Sequence, residues 1–194
     1  MAGPLANRTP SGPGAMAGAA EALGWLAVCF AAAAAAAGLF VPTLYRDVAG
    51  WVQQAQGADL STLVLAIPLS VVAGRAAARG STAGRLATLG VLLYLAYTYA
   101  VSAFSVAINP LTVVYIAVLG LSVWASLLTA ASVDTTAANR LVDARLPRRA
   151  SATFLVVIAV LFGLLWLGQL ATVALTGRPP EELVRLRLPT NPIY

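Results

Sequence analysis

The sequence contains no histidine and no lysine, and all twelve of its basic residues are arginine. Without an amine side chain no Schiff base can form, which excludes a retinal pigment. Without imidazole, neither a bis-histidine haem nor a histidine-based proton relay or metal site can be built, so no cofactor is expected. Thiol chemistry is equally scarce. Cys29 is the only cysteine, so no internal disulfide can form, and its neighbours Val28 and Phe30 mark it as an apolar, lipid-buried residue rather than a reactive one. Charge itself is in short supply: 10% of the 194 residues, where a soluble domain uses about a quarter.

What is present explains the shortage. Hydrophobic residues make up 60% of the chain and the mean hydropathy is +0.84, so lipid is its main solvent. The length suits one bundle rather than two domains, because helices of ~20 residues joined by short loops use up most of it. Abundant Arg, Ala and Gly without Lys also match the coding bias of a GC-rich, actinobacterial type of genome. The net charge of +5 calls for no nucleic-acid partner, since the arginines fall where membrane topology puts them.

Residues 1–20 are rich in Pro, Gly, Ala and Ser, and are expected to be disordered; Met16 offers a second start. The first apolar segment covers about 23–41 and includes seven successive alanines, Ala31 to Ala37, followed by Gly38, small residues that let a neighbouring helix approach closely. A cleavable signal peptide is the competing reading, opposed by the long, weakly basic stretch before it. Pro42 ends this segment, and Tyr45, Arg46, Asp47, Trp51, Gln53 and Gln54 read as a polar connection, with Tyr45 and Trp51 at headgroup level and Arg46 paired with Asp47. The second segment starts at Asp59, which with Ser61 can cap a helix start, and passes through Pro68, a kink candidate, to about Gly74. It reaches spanning length only if Arg75 snorkels and Ala76 to Ala78 are included. The third covers about 86–108, Asn109-Pro110 makes a tight turn, and the fourth covers 111–131. A polar stretch over 132–151 precedes the fifth segment, about 152–175, which Gly177-Arg178-Pro179-Pro180 stops.

These segments predict an all-α, polytopic transmembrane helix bundle of about five spans over residues 21–177. Arg75, Arg79 and Arg85 lie between segments two and three, and Arg140, Arg145, Arg148 and Arg149 between four and five. Both loops therefore belong in the cytoplasm, the N-terminus lies inside, and the protein sits in the cell membrane. Residues 178–194 then form an extracytoplasmic tail, with a short interfacial helix expected over 180–188.

The third segment carries the most informative pattern. Tyr94, Thr98, Ser102, Ser105 and Asn109 step by three or four and so share one helix face. Such a stripe joins helices by hydrogen bonds or lines an outward-open polar cavity. Partners are available in Ser122, Ser126 and Thr129 on the fourth segment and in Gln169, Thr172 and Thr176 on the fifth. A pump normally places a charged group or histidine within the hydrocarbon, and no such group falls inside these spans except at their ends. Asp59 reads as a helix cap or a functional acid. Catalysis would require Asp47, Asp59, Glu181 and Glu182 to act together, which their spacing does not suggest.

Asp59-Leu60 through Pro68, Arg79-Gly80-Ser81, Arg85-Leu86, Gly90, Tyr94, Tyr97, Tyr99-Ala100 and Asn109-Pro110 together resemble a group of bacterial multi-pass membrane proteins of no established activity. The likeness covers roughly 42–121 and the closing Pro189-Thr190-Asn191-Pro192. It implies a membrane bundle and carries over no functional residue. In that group the Asn-Pro element leads into a further helix, so a shortened C-terminus is the expectation here. The reading that fits best is a non-catalytic membrane component that binds other helices, lipid or a small ligand, with other membrane proteins or a second copy as partners besides the bilayer. The runner-up is a small permease-like subunit with an outward polar cavity, and an intramembrane enzyme comes third.

Overall fold

The computed structural model describes residues 13–145, 148–178 and 184, and these contain six helices: α1 (Pro13–Phe40), α2 (Ala49–Ala78), α3 (Thr82–Ser105), α4 (Thr112–Ala131), α5 (Thr135–Arg145) and α6 (Arg148–Thr176). All but α5 are long and apolar enough to cross a membrane, so this is an integral membrane protein with an all-α bundle.

Helices α1 to α4 form a closed ring, in which α1 packs on α2 and α4, and α3 packs on α2 and α4. The alanines of α1 set this arrangement. Ala27, Ala31, Ala34 and Ala35 are all at most 1% exposed, on one face, with Tyr99, Tyr115 and Val118 packed against the same cluster. Small side chains bring backbones together, which matters in lipid because burial of apolar area gives no advantage there. The closeness exposes a carbonyl to a partner: the Tyr99 hydroxyl donates to the Ala31 carbonyl at 2.8 Å. Tyr99 also meets the Tyr115 ring at 5.9 Å between centroids, tilted by 49°.

Several expectations change. Residues 13–20, expected to be disordered, already belong to α1. The second span is not short: α2 has 30 residues and begins at Ala49, and Trp51 is a buried helix residue rather than a headgroup anchor. Gln and Ala are good helix formers, so the glutamines of 53–56 extend the helix where their polarity suggested a loop. Pro68 does not stand alone as a kink. A π-helical turn at Thr62–Ala66 precedes it, with the Ile67 amide donating to the Thr62 carbonyl five residues back. Such a turn loosens the backbone where proline lacks a donor and crowds the carbonyl four residues earlier. The polar stretch after α4 contains α5, which packs on α3. The α3 helix stops at Ser105, three residues short of expectation, as Val106 turns extended. Finally, α6 stands off from the ring, with none of its membrane window buried. Most of the expected interfacial helix at 180–188, and Glu181 and Glu182, lie outside the described residues.

Candidate functional site

Two polar centres occupy opposite ends of the ring. The first lies at the end where α1 gives way to α2. Asp59 is not a helix cap: it is the eleventh residue of α2, 9% exposed, and lies roughly 28 Å along the axis from Ala78, near the far edge of a ~30 Å apolar layer. The Tyr45 hydroxyl donates to Asp59 Oδ2 at 2.6 Å. Gly38 makes room for the pair, because a Cβ there would overlap Asp59 Oδ2 and come within 2.7 Å of the Tyr45 hydroxyl. Burial and the adjacent Asp59 carboxylate raise the Tyr45 phenol above its usual pKa, so Tyr45 stays a donor. Asp47 does not pair with Arg46; its Oδ1 accepts the Ala107 amide at 3.0 Å and ties the α1–α2 loop to the α3–α4 turn.

The expected stripe on α3 divides among local tasks. The hydroxyls of Tyr94 and Thr62 share a hydrogen bond of 3.2 Å, joining α3 to α2. Ser102 donates to the Thr98 carbonyl of its own helix at 3.1 Å. Asn109 shapes the turn: its Oδ1 accepts the Leu111 amide at 2.8 Å, and its Nδ2 donates to Ala107 at 3.3 Å. Thr98 and Ser105 are half-buried. The face that meets the other helices is that of Val91, Leu95 and Tyr99, one helical step from the stripe. Gln169, expected to join these groups with Thr172 and Thr176, is held apart on α6, where Thr172 donates to the Gly168 carbonyl and Thr176 to that of Thr172.

The second centre is a cavity of about 360 Å³ at the arginine-bearing end, between α1 to α4. Trp25, Val28, Val91 and Leu92 give it an apolar floor, and Glu21, Arg85 and Thr88 supply polar groups. Arg85 is held in place by Ser132, a neighbour on the cavity wall, Nη1 donating to its carbonyl at 3.3 Å. The Thr88 hydroxyl oxygen is buried without a partner, and so are those of Ser122 and Ser126 on the neighbouring α4 face. A buried hydroxyl left unmet costs on the order of 1 to 3 kcal/mol, a cost that the packing beside the cavity carries. The apolar floor and polar rim suit a molecule with one polar end. Sequence reading missed Glu21 and Thr88 and placed Arg85 in a loop; Glu21 being the only charge in α1 was the available signal.

Neither family models, nor curated proteins, nor solved structures contain a match to this chain.

Proposed function

We propose that the chain is a non-catalytic component of the cell membrane that holds a lipid or small amphiphile between its helices, with the arginine-bearing end in the cytoplasm. The cavity at that end supports this reading: its volume of about 360 Å³ falls within the ~300–1,000 Å³ of ligand sites. The buried acid at the other end, Asp59, is engaged by Tyr45 and has a structural task already.

Gly18 lies at the mouth of the cavity, and an added Cβ there meets no atom within 4 Å. Gly18→Trp should therefore block the mouth while the fold survives. Native mass spectrometry of the full chain extracted from its membranes is expected to show a retained molecule in the wild type and its loss in Gly18→Trp. Equal retention by both would overturn the reading.

Attachment to partner helices is a second reading, favoured by one observation. The α6 helix presents Leu161, Phe162, Leu164, Leu165 and Leu167 around its circumference, each at least 58% exposed, and no part of its window is covered by the ring. Crosslinking from cysteines on α6 in native membranes tests it, lipid-only adducts being the outcome against it.

A further inference from the structure

The cavity has two charges of opposite sign on its wall, Glu21 from α1 and Arg85 from α3, and no ion pair joins them. That is unusual in so apolar a chain. Glu21 is exposed at the edge of the cavity and Arg85 is half-buried, and unpaired opposite charges so placed are attracted to each other, or to a ligand carrying both complementary charges. Arg85 is already braced by Ser132, so its remaining donors can face the cavity. Below them lie Trp25, Val28, Val91 and Leu92, which offer no polar group beyond the indole N–H of Trp25.

Resting on the reading that this cavity holds an amphiphile, we propose that its occupant is a zwitterionic phospholipid, with the phosphate on Arg85, the ammonium on Glu21, and one acyl chain over the Trp25–Leu92 floor. The planar fork of an arginine matches the acceptor oxygens of a phosphate. An anionic lipid would satisfy Arg85 but bring negative charge toward Glu21, and its headgroup would offer that carboxylate no cation. A zwitterion meets both. The acidic residue therefore sets headgroup preference, and the basic one supplies affinity for any phospholipid.

The test uses the full chain in detergent with phosphatidylethanolamine, phosphatidylglycerol or tail-free glycerophosphoethanolamine added, read by native mass spectrometry. Wild type is expected to prefer phosphatidylethanolamine to phosphatidylglycerol. Glu21→Gln should reduce that preference about fivefold without lowering total occupancy, the scale of a partly exposed ion pair. Arg85→Gln should weaken both lipids about tenfold, and Arg85→Lys, which keeps the charge, should recover part of the loss. Gly18→Trp should exclude both. A wild type that favours phosphatidylglycerol, or a lipid ratio unmoved by Glu21→Gln, overturns the headgroup assignment, while loss of lipid in Gly18→Trp leaves the broader amphiphile reading standing. Occupancy unaffected by Gly18→Trp overturns both. Binding of the tail-free compound as strong as that of the lipid also overturns the proposal, because the apolar floor would then contribute nothing.

Discussion

Gly38→Ala is the sharpest test of the Asp59 centre. In an isolated helix the change is favourable by about 1 kcal/mol, because glycine is the poorer helix former. In this bundle the new Cβ falls on Asp59 Oδ2 and 2.7 Å from the Tyr45 hydroxyl, so either α1 and α2 separate or the Tyr45–Asp59 hydrogen bond breaks. Overpacking costs about 1 to 3 kcal/mol, and loss of a hydrogen bond to a charged group about 1.5 to 3 kcal/mol. Since one form of relief substitutes for the other, a net destabilisation of roughly 0.5 to 2 kcal/mol follows after the propensity gain. Reversible unfolding in mixed detergent would measure it. The decisive comparison is Gly38→Ala in an Asp59→Ala background, where the carboxylate is gone and the Tyr45 hydroxyl, no longer held by it, can turn away from the new Cβ. There the change should be neutral or stabilising by up to the ~1 kcal/mol propensity gain, a coupling of about 1 to 3 kcal/mol, above the ~0.5 kcal/mol scatter of independent sites. An equal cost in both backgrounds would falsify the argument that Gly38 exists to admit Asp59.

Three further outcomes follow from named contacts. The raised pKa of Tyr45 means its protonated form is favoured in the folded state, so its contribution to stability is fully present below the ~10 of a free phenol and is lost as pH rises toward the folded value. Spectrophotometric titration of the folded chain to about pH 11 should therefore give the same tyrosinate signal in wild type and Tyr45→Phe, and a smaller signal in the variant would show that Tyr45 is exposed. Tyr99→Phe removes a buried donor to the Ala31 carbonyl and should cost about 0.5 to 1.5 kcal/mol in the same unfolding assay, with no measurable effect counting against the close approach of α1 and α3. On α6, Leu164→Ala and Gln169→Leu should each change stability by less than about 0.5 kcal/mol, because neither side chain packs into the ring; a cost near 2 kcal/mol would place α6 within the bundle.

Hydropathy made all five spans legible because the lipid layer imposes a long uninterrupted apolar run. It misplaced the start of α2 because Gln53, Gln54 and Asp59 lowered the local average although each sits in helix. What makes Asp59 tolerable there is Tyr45, fourteen residues earlier, and Gly38 on another helix. Such a pairing has no local signature. The α3 stripe shows the same limit: Tyr94, Thr98 and Ser102 share a face by spacing, yet the buried face is that of Val91, Leu95 and Tyr99, about 100° away. Spacing states which residues point together, but only packing decides which face is inward. The alanine run was legible in kind, since small residues announce close approach without naming the helix that makes it.

The two ends of the ring differ because α1 changes composition along its length. Through residues 27–35 alanines let its neighbours close in, whereas toward the arginine end Trp25 projects over Gly74 of α2 and spaces the helices apart. The indole is accommodated only because Gly74 lacks a side chain: a Cβ there would stand 2.8 Å from Trp25 Cζ2. The cavity is therefore held open by a particular contact rather than left by poor packing. Gly74→Ala should push the indole into that space, since the ring can turn more easily than two helix backbones can part. Neither Glu21 nor Arg85 is touched by the change, so retention of the bound amphiphile should fall while any lipid that still binds keeps the same headgroup preference. Unchanged retention in Gly74→Ala, with the Trp25 environment shown by fluorescence to have shifted, would mean that the indole does not shape the site.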